Sequence, residues 1–392
     1  MTRRIKYLLL WLLAAVAVPA VAMQDSLRFS LLTCEPGQEV YALFGHTALR
    51  CQRPDRGVDV VFNYGMFNFH TPNFVLRFVK GETDYQLGVM PYPYFESEYA
   101  LRGSSVYEQE LNLTASEKRR LLELLEDNYR PENRVYRYNY FYDNCTTRAR
   151  DQVERAVEGR VVYPDSLVGK SYRIIVHEFT KGSPWDELGI DLCLGAEADR
   201  EIGLRQQMFA PFYLYNYAED AYIINKDGSR RPLVCRTAKI IEALPVAETA
   251  TAFPLSPCAC ACVLLAVAFV VAACQWKTGR VYWGWEVLLM VLQGVAGCII
   301  AFLFFVSEHP TVGSNWMLWL FNPVPLLYAP VLAYRYVKGK KDPYPLANIV
   351  YLMFFMIIVT FGCQDFNLSV VPLALTLLVT SASHELVVRK HP

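Results

Sequence analysis

The spacing of hydrophobic residues divides the chain into two parts. Residues 23–254 mix apolar and polar positions and carry most of the acidic and basic residues, whereas residues 255–392 are largely apolar. Apolar runs in the second part, each close to the ~20 residues that cross a bilayer core, predict about five membrane-spanning helices, at residues 257–275, 285–306, 316–334, 346–363 and 367–384. Asn322 and the prolines at 323, 325 and 330 interrupt the third run.

The first part shows both strand and helix periodicity, which predicts an α+β domain. Alternating apolar and polar positions, typical of half-buried strands, occur at residues 38–51, 57–69, 105–114 and 135–142. Thr114 and Glu117 form a capping-box pattern before a helix that runs through residue 128. Asp143 or Asn144 can cap a second helix at about 145–158.

The N-terminus has the features of an export signal. A basic segment precedes a short apolar core at residues 7–18 and a small-residue cleavage site at 20–22. We expect residues 1–22 to be a cleaved signal peptide, so that residues 23–254 form an exported domain. An uncleaved anchor is the alternative, and it exports the same domain.

Basic residues in the predicted loops agree with this orientation. The loop at 307–315 has no Lys or Arg, as expected of an outer loop, and the loop after the fourth span has none either. The remaining connections and the tail are basic and are therefore predicted to be cytoplasmic, with Lys277, Arg280, Arg335, Lys338, Lys340, Lys341, Arg389 and Lys390. The aromatic segment 85–99 is either an interfacial segment or an ordinary part of the core.

Charge and cysteine counts narrow the classes of function. Lys and Arg number 38 and so do Asp and Glu, so the net charge gives no reason to expect a nucleic-acid partner. Five of the eleven cysteines lie in the exported domain, and an odd number leaves at least one unpaired if the others form disulfides. Cys258, Cys260 and Cys262 are either a zinc-binding run or small packing residues on a helix.

One cysteine, Cys145, lies where a strand-like run ends and a helix is predicted to begin. The free backbone N–H groups and the positive dipole end of a helix N-terminus favour thiolate over thiol, and thiolate is the nucleophile. The same N–H groups could stabilise the oxyanion of an acyl-transfer reaction. Arg148, one turn later, could add positive potential. The alternative is a structural cysteine, buried or in a disulfide.

A thiol nucleophile needs a base, and the exported domain has three histidines. His46 lies among apolar neighbours in a predicted strand, while His70 and His177 lie in turn-like or mixed segments. We therefore favour His46 as the base, with a buried core histidine as the alternative. Asn63 or Asp59, on the neighbouring predicted strand, could orient the imidazole, and the sequence does not choose between them.

Three motifs carry a resemblance to a known family. FGHTALR at 44–50, VFNYGMFNF at 61–69 and PENRVYRYNYFYDNCTTRARD at 131–151 resemble the periplasmic domain of the Bacteroides-type, Lnb-like lipoprotein N-acyltransferases. The outer loop at 308–310, Asn315 and Asn322-Pro323 are similar to the membrane part of that family. The order of histidine first and cysteine later is similar to permuted papain-like thiol folds. The resemblance implies that His46 is the base and Cys145 the nucleophile.

The resemblance also implies a reaction. An acyl chain would pass from a membrane phospholipid, through a Cys145 thioester, to the α-amino group of the N-terminal diacylglyceryl-cysteine of a lipoprotein. We expect no metal and no cofactor. The location would be the bacterial inner membrane, with the catalytic domain in the periplasm and the C-terminus in the cytoplasm. Glu308 and His309, on the same side as Cys145, either bind a head group or the amine or form a solvated loop.

Three alternatives remain open. A cell-wall peptidase or amidase could use the same Cys–His pair, although five spans exceed what a tether needs. A phospholipase or thioesterase would use water in place of the amine. A membrane scaffold would use both residues only as part of its core.

Overall fold

The computed structural model describes residues 26–37, 39–67, 72–164, 169–243 and 253–390. The predicted signal peptide, its cleavage site and His70 lie outside the described residues.

The exported domain is built on an antiparallel seven-stranded sheet with the strand order β10-β5-β1-β2-β3-β4-β6. A second sheet has three short strands in the order β7-β8-β9. The strands, in chain order, are β1 Arg28–Cys34, β2 His46–Arg53, β3 Val58–Met66, β4 Asp84–Pro91, β5 Val106–Leu111, β6 Val135–Arg137, β7 Arg160–Val162, β8 Tyr222–Ile224, β9 Arg230–Pro232 and β10 Val234–Ile241.

Helices cover both faces of the large sheet, which accounts for its two buried faces. They are α1 Phe74–Lys80, α2 Tyr92–Arg102, α3 Ala115–Tyr129, α4 Cys145–Ala156, α5 Tyr172–Thr180, α6 Pro184–Cys193, α7 Leu204–Gln207 and α8 Pro211–Glu219. Buried side chains of α2 pack on one face. Those of α3, α4 and α8 pack on the other face, which holds the larger core and includes Cys145. The domain is therefore a mixed α/β structure.

All four predicted strands were longer than the observed ones, and local turn chemistry explains the two largest differences. In 38–51, residues Val40–Ala42 form a 3-10 turn and Gly45 has φ +76°, so β2 begins only at His46. In 135–142, the strand ends at Arg137 because the Asn139 side chain accepts hydrogen bonds from the N–H groups of Phe141 and Tyr142 and closes a turn. In both segments, some apolar residues outside the observed strand pack in the core instead of pairing with a neighbouring strand.

The capping predictions are confirmed in detail. Thr114 caps α3, and the Glu117 carboxylate accepts a hydrogen bond from the Thr114 N–H at 2.8 Å. Of the two residues proposed for the next cap, Asn144 caps α4. The segment 85–99 is part of the core, because Tyr85, Phe95 and Tyr99 are buried.

The C-terminal part is a bundle of apolar helices: α9 Pro257–Thr278, α10 Trp283–Val306, α11 Val324–Val337, α12 Tyr344–Thr360 and α13 Val370–Lys390. In the described chain, four segments are long and apolar enough to cross a membrane, one of which combines the 3-10 turn Trp316–Trp319 with α11, while α12 is shorter.

The third span is broken where the sequence has Asn322 and its prolines. Its bend lies against α10 at two glycines, since a Cβ on Gly294 would lie 2.3 Å from Leu326 Cβ and one on Gly297 would lie 2.2 Å from the Asn322 carbonyl carbon. The absence of a side chain therefore allows the irregular backbone to approach α10 closely.

The two parts are joined by hydrogen bonds at one end of the bundle. Asn315 Nδ2 donates to Leu192 O at 2.8 Å, and Gln364 Nε2 donates to Leu194 O at 3.1 Å. Arg173, 2% exposed, binds the Asp191 carboxylate at 2.8 Å, and Asp191 in turn accepts from Asn367 Nδ2 at 3.1 Å. The exported domain therefore rests directly on the outer loops of the bundle.

Candidate active site

The candidate nucleophile, Cys145, occupies the first position of α4, whose start is held by Asn144. The Asn144 side-chain oxygen accepts hydrogen bonds from the N–H groups of Thr146 and Thr147, each at 2.9 Å. The Asn144 amide nitrogen donates to the carbonyls of Tyr140 and Phe209, each at 2.8 Å. Because both ends of this buried amide are used, the first turn of α4 has a fixed position.

His46, at the start of β2, reaches Cys145 from the sheet. Its Nε2 forms a 2.5 Å hydrogen bond with Asn63 Oδ1 on β3, so Nδ1 is the ring nitrogen available to the Cys145 thiol, and the ring is close enough to Cys145 for each group to shift the pKa of the other. The structure therefore brings Cys145, His46 and Asn63 together in the order thiol, imidazole, amide.

This arrangement changes the titration of both groups. Burial opposes the charged thiolate, but the adjacent His46 ring, with hydrogen bonds from His46, Thr47 and Thr146, lowers the pKa of Cys145 from 9.0 to about 7. Burial also opposes the imidazolium, yet the Cys145 charge and the hydrogen bonds with Cys145 and Asn63 raise the pKa of His46. Each group stabilises the charged form of the other, which is the condition for a reactive thiolate near neutral pH.

The sequence suggested that several N–H groups at the start of α4 could stabilise an oxyanion, but in the structure most of them are already used. The amides of Thr146 and Thr147 already donate to the Asn144 cap. In the part of the chain that the structure describes, Cys145 is the first-turn residue whose N–H has no such acceptor. That N–H is therefore the one that can donate to an oxyanion formed at Cys145.

Asp59, the other residue considered for orienting the imidazole, is not at the site. Its position on β3 is paired with Gln52, six residues along β2 from His46. Its carboxylate instead binds Arg50 at 2.6 and 2.8 Å. The prediction of Asp59 as a site residue is wrong because the strand register places it far from His46.

Arg148 lies one turn after Cys145, as the helix predicts, but its guanidinium is already paired. It binds Asp143 through two hydrogen bonds, at 2.6 and 2.7 Å, and lies 3.5 Å from the centre of the Tyr136 ring. Arg148 therefore anchors the loop before α4 to the helix, and its predicted role in substrate binding stays a prediction.

Glu308 and His309 lie against the exported domain but contact neither Cys145 nor His46 among the described residues. The Glu308 carboxylate lies 3.7 Å from Arg137, and His309 Nε2 lies 2.6 Å from the Phe78 carbonyl oxygen. Their observed role is to join the outer end of α10 to the exported domain. Their predicted contact with substrate remains untested.

Three further residues at the site were missed in the sequence. Gly65, at φ +87° in a bulge of β3, lies close enough to Cys145 that an added Cβ would be 3.7 Å from Cys145 Cβ and 3.9 Å from the Tyr138 ring. Tyr138 and Tyr140 are both near enough for a Cys145 charge to raise their pKa values further, beyond the effect of burial. The glycine in N-Y-G-M was the available signal, because glycine within a strand often marks close approach.

The third histidine, His177, belongs to a different cluster. Its Nε2 lies 2.9 Å from the Asp191 carboxylate, and Glu187 lies close enough that all three could hold a metal ion. Asp191 already binds Arg173 and Asn367, and Glu187 accepts from the Thr180 hydroxyl. The cluster therefore joins α5 and α6 to the membrane part, and it contains no candidate base for Cys145.

Comparison with known proteins agrees with this two-part architecture. A family profile described as the Lnb N-terminal periplasmic domain matches residues 20–176, and one described as the Lnb transmembrane domain matches residues 248–391. The chain belongs to the Lnb family. The resemblance drawn from the sequence motifs is thereby confirmed, and this Lnb-family protein is a membrane protein with a periplasmic domain followed by a helical transmembrane domain. Searches of curated proteins and of solved structures found no match.

Proposed function

We propose that this Lnb-family protein is a lipoprotein N-acyltransferase that uses Cys145 as its nucleophile. It moves an acyl chain from a phospholipid to the α-amino group of the N-terminal diacylglyceryl-cysteine of a lipoprotein. The observation that carries the proposal is the Cys145–His46–Asn63 arrangement at the start of α4. Membership of the Lnb family supports lipoprotein acylation as the reaction class.

The first half-reaction forms an acyl-enzyme. The Cys145 thiolate attacks the carbonyl carbon of a phospholipid ester, and the oxyanion accepts a hydrogen bond from the Cys145 N–H. The carbon–oxygen bond then breaks, and the His46 imidazolium gives its proton to the leaving glycerol oxygen. The products are a lysophospholipid and a Cys145 thioester, with His46 neutral.

The second half-reaction forms the amide. The lipoprotein amine attacks the thioester carbonyl and neutral His46 takes its proton, so that breaking the carbon–sulfur bond restores the thiolate and the imidazolium. Asn63 holds the imidazole with Nδ1 toward the sulfur throughout. The residues involved need no metal or cofactor for this sequence of steps.

The proposed fold and location follow from the same features. A histidine at a strand start facing a cysteine at a later helix start supports a permuted papain-like thiol fold. The contacts between the exported domain and the loops at 307–315 and 364–367 support a location of both on one side of the membrane. Together with the basic tail, this supports an inner-membrane location with the C-terminus in the cytoplasm.

Mass spectrometry of lipoprotein N-termini tests the proposed function. We expect cells with the wild-type protein as their only source of this activity to carry an N-linked acyl chain, and cells with Cys145→Ala to lack it. Cys51→Ala is the matched control, because Cys51 is also buried in the exported domain and lies on β2 away from His46. N-acylation that persists in Cys145→Ala would overturn the proposal, and muropeptide cleavage without N-acylation would support a cell-wall amidase.

A further inference from the structure

The short helix α1 exposes large apolar side chains. Val75 is 74% exposed, Leu76 52% and Phe78 47%, all within seven residues. A group of exposed apolar side chains on one short element marks a contact surface. The position of α1 shows which surface it contacts.

Hydrogen bonds hold α1 to the outer end of the membrane helix α10. Ser307 Oγ donates to Val79 O at 2.7 Å and Glu308 N donates to Lys80 O at 2.8 Å. The two segments approach at Gly81, φ +77°, where an added Cβ would lie 2.9 Å from the His309 nitrogen. The 24 residues of α10 span about 36 Å, more than the ~30 Å bilayer core, so its end lies at the outer lipid surface, and α1 lies there with it.

A row of aromatic rings connects α1 with the candidate nucleophile. Tyr138 lies beside Cys145, and each following ring contacts the next. The ring centres are 4.2 Å apart for Tyr138–Tyr85, 5.1 Å for Tyr85–Phe67, 5.9 Å for Phe67–Phe74 and 6.1 Å for Phe74–Phe78. Phe78 then contacts the His309 ring at 5.7 Å. A continuous row of apolar rings, of which Tyr85 is the buried member, therefore runs from Cys145 to the end of α10.

The strand register puts the reactive residues at the end of the sheet that faces the bundle. His46 is paired with Cys34, Cys34 with Val106, and Val106 with Ile241. Ile241 is the last residue of β10, after which the chain continues to the membrane part. The aromatic row therefore begins at the end of the sheet where β10 ends, and it runs from there to the outer end of α10.

From these contacts we infer that α1 is a lipid-contacting element. Its exposed side, with Val75, Leu76 and Phe78, lies in the outer leaflet, and the row of rings behind it receives one acyl chain and leads its ester to Cys145. The partner is a lipid surface, since the apolar face is fixed at the end of a membrane-spanning helix. The lipid contact stands on geometry alone, whereas delivery to Cys145 rests on the proposed function.

Photo-crosslinking tests the lipid contact without any chemistry at Cys145. Benzoylphenylalanine is placed at Leu76 in the full-length Cys145→Ala protein, in vesicles that contain radiolabelled phospholipid. We expect phospholipid adducts at position 76 as at Val270, which is 63% exposed on the membrane helix α9. We expect none at Val58, which is 37% exposed at the opposite end of β3. Adducts at 270 without adducts at 76 would overturn the inference.

Kinetics test the delivery of the acyl chain. Leu76→Asn should raise KM for phospholipid in vesicles several-fold, with little change in the acylation of Cys145 by a water-soluble short-chain thioester. Leu76→Phe should restore the wild-type KM, and Val58→Asn should leave it unchanged. An unchanged KM in Leu76→Asn would exclude the delivery role, and loss of activity toward both substrates would show that α1 acts through the site rather than through lipid. If position 76 contacts lipid but Cys145 is dispensable for N-acylation, the proposed function fails and the lipid surface stands.

Discussion

The pairing of Cys145 with His46 makes a quantitative prediction for His46→Ala. The imidazole supplies the main influences that lower the pKa of the thiol to about 7, and burial opposes them. Without the ring, burial remains, so the pKa of Cys145 should rise to its ordinary value of 9.0 or above. A rise of about 2 pKa units corresponds to roughly 2.7 kcal/mol of lost preference for the thiolate.

The assay is the pH dependence of Cys145 alkylation by iodoacetamide, followed by mass spectrometry of the peptide that contains it. Only the thiolate reacts, so the rate falls as pH decreases through the pKa. We expect a midpoint near pH 7 in the wild-type protein and at pH 9 or above in His46→Ala. His177→Ala is the matched control, because His177 contacts Asp191 rather than Cys145. A midpoint that stays near pH 7 in His46→Ala would refute the ion-pair explanation.

Three other predictions, made with four variants, test separate parts of the structure. Asn63→Ala should reduce the rate of acylation about 10-fold or more because the imidazole loses its orienting hydrogen bond, whereas Asp59→Ala should leave the rate nearly unchanged; equal rates for both variants would contradict the assignment. Arg173→Met should destabilise the exported domain by about 3 to 5 kcal/mol, measured by chemical denaturation, because it leaves the buried Asp191 carboxylate without its main cation; a loss below 1 kcal/mol would contradict this. Thr114→Ala should cost about 1 kcal/mol in the same measurement, since α3 loses its cap, and an unchanged midpoint would show that the cap is dispensable.

Local signals explain which parts of the site could be predicted. The helix start at Cys145 follows from a capping residue followed by a helical pattern, and the observed cap at Asn144 acts within three residues. The capping box at Thr114 and Glu117 is equally local. Such features depend on neighbouring residues alone, so a single sequence contains the information needed to find them.

Features that depend on register or distant packing could not be predicted in the same way. The choice between Asn63 and Asp59 depends on how β3 pairs with β2, which no local pattern determines. The aromatic row joins Phe67, Phe74 and Tyr85 to Tyr138, more than fifty residues later, only after the sheet has formed. For the same reason, the sequence could not decide whether segment 85–99 lies at the membrane interface or in the core. In the structure, α1 is the element that adjoins the outer end of α10.

The most direct test of the central claim is a search for the acyl-enzyme itself. The purified full-length protein is mixed with phospholipid in the absence of any acceptor amine, and the mass of the Cys145 peptide is measured. We predict that the peptide gains the mass of one acyl group. Hydroxylamine should remove this group, and a lipopeptide with a free N-terminal diacylglyceryl-cysteine should accept it. The Cys145→Ala protein should show no such mass increase. Transfer to the lipopeptide by a protein whose Cys145 never carries an acyl group would contradict the account.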